Sequence, residues 1–103
     1  MNIVWTDYAQ RSQDAVAEYI MQKFGALTLR DFYDNIDNIE WQLSEFPNIG
    51  RVEPLLEGRG RLYRSIVVTK QSKVIYYIDG STIFIVDFWD TRREPEAQAD
   101  KLN

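Results

Sequence analysis

Two arginines, Arg61 and Arg64, stand three positions apart at the start of an apolar stretch of this 103-residue sequence. On a β-strand, that spacing turns the two side chains to opposite faces of a sheet. A guanidinium can hold a phosphate or a carboxylate through two parallel hydrogen bonds, so either residue is a candidate anion ligand. The structural alternative keeps both side chains at the sheet edge with their charges in water. From the residues alone, the structural alternative is preferred.

Two adjacent tyrosines, Tyr76 and Tyr77, lie in the next apolar run. Neighbouring residues of a strand point to opposite faces, so one tyrosine is expected in the core and the other against solvent or a ligand. An exposed tyrosine beside arginines could stack on a base or transfer a proton. Burial is the commoner fate of a strand tyrosine, and the pattern leaves open which of the two is buried.

Charged residues gather at the end of the last apolar run. Asp87 interrupts a predicted strand face that also holds Ile85 and Trp89, and we expect it to pair with an arginine of a neighbouring strand. Asp90, Arg92 and the adjacent Arg93 lie where this strand should end, and the ends of strands on a rigid scaffold often carry function. This cluster is the best site candidate on chemistry alone, although a solvated polar terminus has the same composition.

The composition excludes several kinds of site. The sequence has no cysteine and no histidine, which removes thiolate chemistry, disulfides, the commonest metal ligand and the commonest general base. We therefore expect no metal and no cofactor. The net charge of −4 argues against strong nucleic-acid binding, but residues 51–93 hold eight basic against five acidic residues. The basic charge thus gathers on the segment that carries the candidate residues.

Three apolar runs rich in Val, Ile, Tyr, Phe and Trp predict the strands that position these residues, at 62–69, 73–78 and 83–89. The Asp79-Gly80 pair between the last two runs is typical of a tight hairpin. Lys70, Gln71 and Ser72 fit a slightly longer hairpin loop between the first two runs. An antiparallel meander is expected, with a loop over 48–60 before it.

A helical hairpin is predicted upstream of the meander. After a short first strand at 2–5, the apolar spacing indicates a helix from Tyr8 to Phe24, with Thr6 or Asp7 as N-cap and Gly25 as C-terminal cap. A second helix is expected to begin at Thr28 as N-cap and to end before Pro47. Its apolar residues form a narrow seam: Leu29, Phe32, Ile36, Ile39, Leu43 and Phe46.

The element order β-α-α-β-β-β predicts one α+β domain, with the helical hairpin packed on one face of a mostly antiparallel sheet. We place Val16, Ile20, Ile36 and Leu43 against that face. The domain should span 1–95, followed by a tail at 96–103 with weak helical character. The sequence shows no leader pattern and no apolar run of eighteen residues, so a cytoplasmic protein without a membrane partner is expected.

The chain also resembles a known family, the RelE/ParE superfamily of toxins from type II toxin–antitoxin systems, whose members are often described as plasmid stabilisation proteins. The resemblance runs from about residue 3 to residue 95 and lies in the element order and in three segments taken in sequence. These are RLYRSIVV at 61–68, KVIYYID at 73–79 and IFIVDFWDTRREP at 83–95.

The superfamily implies two different activities. RelE-like members cleave messenger RNA on the ribosome with basic residues and a proton-transfer group, whereas ParE-like members act on DNA gyrase. By position, Arg64, Lys73 and Arg92 match basic residues of the ribonucleases. The chain departs from the pattern at Ile66, where a second lysine is usual, and at 97–99, where tyrosine or histidine is usual.

The resemblance therefore implies a toxin that inhibits growth unless an antitoxin neutralises it, either ParE-like or a catalytically weak RelE-like protein. The alternatives are an active ribosome-dependent mRNA interferase and a non-toxic protein-interaction module. If the chain is an enzyme, the implied set holds phosphate with its basic residues and uses Tyr76 or Tyr63 as proton donor; the basic residues are Arg61, Arg64, Lys73 and Arg92. The implied partners are the antitoxin, either DNA gyrase or ribosome and mRNA, and a second copy of the chain.

Overall fold

The computed structural model describes residues 1–56, 58 and 60–91. Its helices are α1 (Asp7–Phe24) and α2 (Ala26–Glu45), with a single 3-10 turn at Pro54–Leu56. Its strands are β1 (Asn2–Trp5), β2 (Arg51–Val52), β3 (Arg64–Thr69), β4 (Ser72–Asp79) and β5 (Thr82–Asp90). Arg92, Arg93 and the predicted tail at 96–103 lie outside the described residues.

The five strands form one sheet in the order β1-β5-β4-β3-β2. Strand β1 runs parallel to β5, and the other neighbours are antiparallel. This confirms the α+β fold with a mostly antiparallel sheet. Strand β2 was not predicted: it occupies two residues of the expected 48–60 loop and pairs Arg51 with Ser65 and Val52 with Arg64. Two residues are too few to show an alternating pattern, so sequence periodicity could not reveal it.

The helical hairpin turns at a single glycine. Gly25 has a φ of 91°, and its N–H donates to the carbonyls of Ile20 and Met21 at the end of α1. Helix α2 begins at the very next residue and has no side-chain cap, so the prediction of Thr28 as its N-cap was wrong. The positive φ of a glycine lets the chain reverse without the usual loop and capping residue. At the other end, the Thr6 hydroxyl accepts the Ala9 N–H, which confirms it as the N-cap of α1.

The core lies between the helices and one face of the sheet. All four predicted helix residues, Val16, Ile20, Ile36 and Leu43, are buried in it. The strands contribute Val74, Tyr76, Ile83, Ile85 and Phe88. The Phe88 ring meets Phe32 of α2 edge-to-face, with 5.6 Å between centroids. This packing commits one sheet face to the helices and leaves the opposite face open.

A register shift in β5 changes which face one carboxylate occupies. Ile75 pairs with Asp87, but the next residue, Tyr76, pairs with Ile85, so Val86 is an extra residue on β5. Asp87 therefore lies opposite Ile75 on the open face, while Ile85 faces the helices. The expectation that Asp87 and Ile85 share a face was wrong, because strict alternation fails at a bulge.

The β3–β4 turn is shorter than the sequence indicated, and the β4–β5 turn lies one residue later than Asp79-Gly80. Asp79 ends β4 and pairs with Thr82, which begins β5, so Gly80 and Ser81 form the turn, and Gly80 has a φ of 61°. Ser72 likewise belongs to β4 rather than to the preceding loop.

No helix in the described part of the chain is long and apolar enough to cross a membrane.

The caps of the two helices give a paired test of this architecture. Thr6→Ala should lower the free energy of unfolding by about 1 kcal/mol, because it leaves an N-terminal N–H of α1 without its side-chain acceptor. The control Thr28→Ala should change stability by no more than about 0.5 kcal/mol, since that residue lies inside α2 and caps nothing. Urea unfolding of both variants measures the difference. A larger loss for Thr28→Ala would contradict the observed start of α2.

Candidate functional site

An aromatic ladder crosses the open face of the sheet at one end of β4. The Tyr77 ring stacks on Phe84 of β5 with 5.3 Å between centroids and meets Tyr63 edge-on at 5.9 Å. The guanidinium carbon of Arg61 lies over the Tyr77 ring, 4.2 Å from its centroid. Stacking of this kind is favourable because the ring face is electron-rich. Arg61, which precedes β3, is therefore held in place by an aromatic surface.

Arg64 approaches the same place from the other side of the sheet. It pairs with the core residue Tyr76, so its side chain starts on the helix face. Its Nη1 then donates to the carbonyl of Gly50 at 2.8 Å and to that of Asn48 at 3.5 Å. Both carbonyls belong to the segment between α2 and β2. The backbone of this segment thus fixes the direction of the Arg64 guanidinium.

The two arginines meet at one cleft of about 400 Å³. Its walls also include Asn48, Leu62, Tyr77 and Ile78. Arg61 lies before β3, so strand alternation does not apply to it as predicted. The cleft opens at the start of β3 and receives Arg61 over the Tyr77 ring and Arg64 from the helix face. Sequence reasoning missed Asn48, because the loop that carries it has no pattern that would place it against a strand 14 to 16 residues away.

Tyr76 fills the core rather than the cleft. It is fully buried, and its hydroxyl donates to the Pro47 carbonyl at 2.8 Å and accepts the Gly50 N–H at 2.9 Å. Burial raises the pKa of the Tyr76 phenol above its ordinary value of 10.0, against the lowering effects of the Gly50 N–H and of nearby Arg64. The phenol therefore stays protonated near neutral pH. Of the two tyrosines, Tyr77 is the one on the open face.

Lys73 lies at the opposite end of β4 from the cleft. Lys73 is four residue steps from Tyr77, which is about 13 Å along a strand. Its Nζ is 3.0 Å from the Glu53 carboxylate, which is only 1% exposed, and 4.5 Å from the centre of the Trp89 ring. Sequence reasoning could not find the Lys73–Glu53 pair, because Glu53 lies in a predicted loop. The positive charge of Lys73 is therefore neutralised locally by Glu53.

Asp87 lies near Lys73 on the open face. Its carboxylate accepts the Trp89 indole N–H at 2.6 Å and the Phe88 backbone N–H at 2.8 Å. The expected arginine partner of Asp87 stays a prediction. Within the described residues, no group of three or more acidic side chains is placed to hold a metal ion.

The structure thus brings together only part of the candidate set. Arg61 and Arg64 share a cleft, whereas Lys73 forms an ion pair about a strand length away and Tyr76 is buried under the loop. Tyr63, the other tyrosine considered as a proton donor, packs edge-on against Tyr77. Arg92 lies outside the described residues. Among the candidate residues that the structure describes, Arg61 and Arg64 are the two that come together at a cleft suited to an anion.

The Tyr76 hydroxyl can be tested by deleting it. Tyr76→Phe should lower the free energy of unfolding by about 1–3 kcal/mol, because the buried Gly50 N–H and Pro47 carbonyl lose their partner. The pKa of Tyr76 is higher in the folded state than in the unfolded state, so the protonated phenol stabilises the fold fully below about pH 10. This contribution is lost as the pH rises through the folded-state pKa. The parent should therefore lose more stability than the variant as the pH rises above about 10, where the unfolded tyrosine begins to ionise.

Tyr33→Phe is the matched control, since Tyr33 is exposed on α2. Its stability should stay close to that of the parent, with the parent's alkaline loss. Urea unfolding followed at several pH values makes both comparisons. An equally stable Tyr76→Phe variant would contradict the hydrogen-bonded position of the hydroxyl.

Several solved toxin structures have a similar fold. The chromosomal ParDE toxin–antitoxin system of P. aeruginosa matches with 20% identity and a TM-score of 0.69, covering 87% of this chain and 95% of that chain. A YoeB/ParE toxin from Agrobacterium tumefaciens matches with 19% identity and a TM-score of 0.61, covering 87% and 98%. The YoeB dimer from Staphylococcus aureus matches with 17% identity and a TM-score of 0.59, covering 86% and 94%. At sequence identities of 20% or less, this structural similarity establishes the fold alone.

The family of the chain is established from its sequence. A search of proteins with curated function found no match. The sequence model that describes the ParE toxin of the type II toxin–antitoxin system parDE, by contrast, matches residues 3–95. This match covers every strand and helix described above except Asn2, the first residue of β1. The chain therefore belongs to the ParE toxin family of type II toxin–antitoxin systems.

Proposed function

We propose that this protein inhibits growth by acting on DNA gyrase, without cleaving RNA, and that a cognate antitoxin neutralises it. The observation that carries the proposal is the separation of the candidate ribonuclease residues. A ribonuclease needs its phosphate ligands and its proton donor within reach of one phosphodiester. Here Lys73 lies at the other end of β4 from the two-arginine cleft, and the Tyr76 hydroxyl, although close to Arg64, is buried and hydrogen-bonded to the Pro47 and Gly50 backbone.

The position of Tyr76 argues against its use as a general acid. A proton donor must come within about 3 Å of the leaving oxygen, directly or through one water. The Tyr76 hydroxyl is fully buried and already donates its proton to the Pro47 carbonyl. Its raised pKa also makes the phenol a weaker acid than an ordinary tyrosine. Tyr76 is therefore proposed as a structural residue.

The position of Lys73 argues against its use as a phosphate ligand. Its ammonium lies 3.0 Å from the carboxylate of Glu53, so a phosphate would have to displace a buried anion. The net charge of −4 adds to this, because RNA binding depends on neutralising several phosphates. The two observations favour the ParE-like alternative over an mRNA interferase.

The family supports the choice of target and partner. ParE-like members of the superfamily act on DNA gyrase, and the matched family is the ParE toxin. The similar structures include a ParDE toxin–antitoxin system and a YoeB–YefM complex, and we extend the idea of a neutralising partner to this chain. A cytoplasmic location follows from the proposed target. A homodimer, as in the YoeB structure from Staphylococcus aureus, stays a prediction.

Inducible expression of the chain without a partner tests the proposal. We expect growth to stop, DNA breaks to appear and transcripts to keep their normal ends, because the toxin would act on gyrase and not on RNA. The measurements are colony counts, sequencing of RNA 5′ ends and a DNA-break assay on the same cultures. A stop codon in place of Gln10 gives a matched transcript without the protein.

Each alternative has its own outcome in this experiment. New transcript ends that appear before growth stops, and vanish in Arg92→Ala, would establish an mRNA interferase and overturn the proposal. Unchanged growth despite accumulation of the folded protein would favour the non-toxic interaction module. Inhibition of purified gyrase supercoiling by the purified protein would add direct support for the target.

A further inference from the structure

We propose that the cleft of Arg61 and Arg64 binds a carboxylate side chain presented by a protein partner, rather than a nucleic-acid phosphate. The cleft holds two guanidinium groups and one amide, from Asn48, and none of the described residues that line it is acidic. Arg61 and Arg64 form no ion pair within the described part of the chain. Lys73 in the same sheet, by contrast, carries its own carboxylate partner. The cleft therefore presents positive charge that an external anion can complete.

Both guanidinium groups are held in place before any ligand arrives. Arg61 uses its flat face against the Tyr77 ring, and its N–H donors lie in the plane of the group and point away from that contact. Arg64 uses Nη1 for the Asn48 and Gly50 carbonyls, which leaves the donors on Nη2 and Nε. A pre-positioned guanidinium loses less side-chain entropy when it binds a carboxylate through two hydrogen bonds.

The surroundings of the cleft favour a protein segment over a nucleic acid. Leu62, at its rim, is 58% exposed, and Ile78 contributes another apolar wall. A peptide can place an apolar side chain on this rim next to its carboxylate. A nucleic-acid strand would instead need a track of cations beyond the cleft. Along the open face of β4 the next cation is Lys73, which is already paired with Glu53.

The size of the cleft agrees with this occupant. About 400 Å³ falls within the range of specific small-ligand sites and accommodates one acidic and one apolar side chain. The inference goes beyond the proposed function, because it assigns a ligand class to the cleft whatever the cellular target is. Its test uses the purified protein and no growth measurement, so the two proposals can fail independently.

A titration followed by NMR tests the inference with defined probes. The first probe is a blocked pentapeptide with a central Leu-Glu pair, and its matched control replaces Glu by Gln. The third probe is a single-stranded RNA pentanucleotide. The arginine Nε–Hε signals of Arg61 and Arg64 should shift with the Glu peptide and saturate. The dissociation constant should rise about tenfold for the Gln peptide, because a charge-assisted hydrogen bond is lost.

Variants separate the cleft from general charge effects. Arg61→Gln should weaken binding of the Glu peptide about tenfold, whereas Arg30→Gln, an exposed arginine on α2, should leave it unchanged. Because Arg61 precedes β3 and stacks on the surface of the Tyr77 ring, its replacement should leave the fold intact, as a matching amide spectrum would verify. Equal binding of the Gln peptide, tighter binding of the RNA, no saturable shift, or equal effects of the two variants would each overturn the proposal.

Discussion

The hydrogen bonds of the buried Tyr76 hydroxyl hold the segment on which the cleft depends. Tyr76 donates to Pro47 and accepts from Gly50, which ties the end of α2 to the centre of the sheet. The approach is so close that a side chain at Gly50 would not fit: its Cβ would lie 2.6 Å from the Tyr76 hydroxyl and 2.8 Å from the Ser65 carbonyl. Strand β2 begins directly after this contact, and the Gly50 carbonyl fixes Arg64.

This constraint explains why the polar residues of the sheet divide into two groups. At one end of β4 the fixed loop and the aromatic ladder position Arg61 and Arg64 around an open cleft. At the other end, the chain that continues from β2 carries Glu53 to Lys73 and neutralises it. Tyr76 lies between these two groups, and its hydroxyl is hydrogen-bonded to the loop backbone at Pro47 and Gly50. The result is a surface suited to binding, in which the Tyr77 ring stacks against the Arg61 guanidinium.

Much of the fold could be predicted, because long periodic segments report which of their faces is buried. The buried seam of α2 from Phe32 to Leu43, the three long strands and the cap at Thr6 follow from spacing and from residue type. The prediction of Phe46 as the last residue of that seam was wrong, because it lies after the end of α2 and is 59% exposed. The rest depended on contacts between distant segments. A two-residue strand has no period, a glycine with positive φ replaced the expected cap of α2, and the bulge at Val86 moved Asp87 to the other face. For the site, the spacing of Arg61 and Arg64 predicted opposite faces of a strand. It could not reveal the loop between α2 and β2 that helps to place both side chains at one cleft.

The central claim is that the Tyr76 hydroxyl supports the loop and takes no part in chemistry. Growth arrest by Tyr76→Phe, measured at a temperature where the variant is folded and at equal folded amounts, tests it most directly. The account predicts that the folded variant still arrests growth, since the hydroxyl supports the loop and supplies no proton. Loss of a proton donor would instead reduce activity by about 100-fold or more. A folded Tyr76→Phe protein that no longer arrests growth would contradict the account.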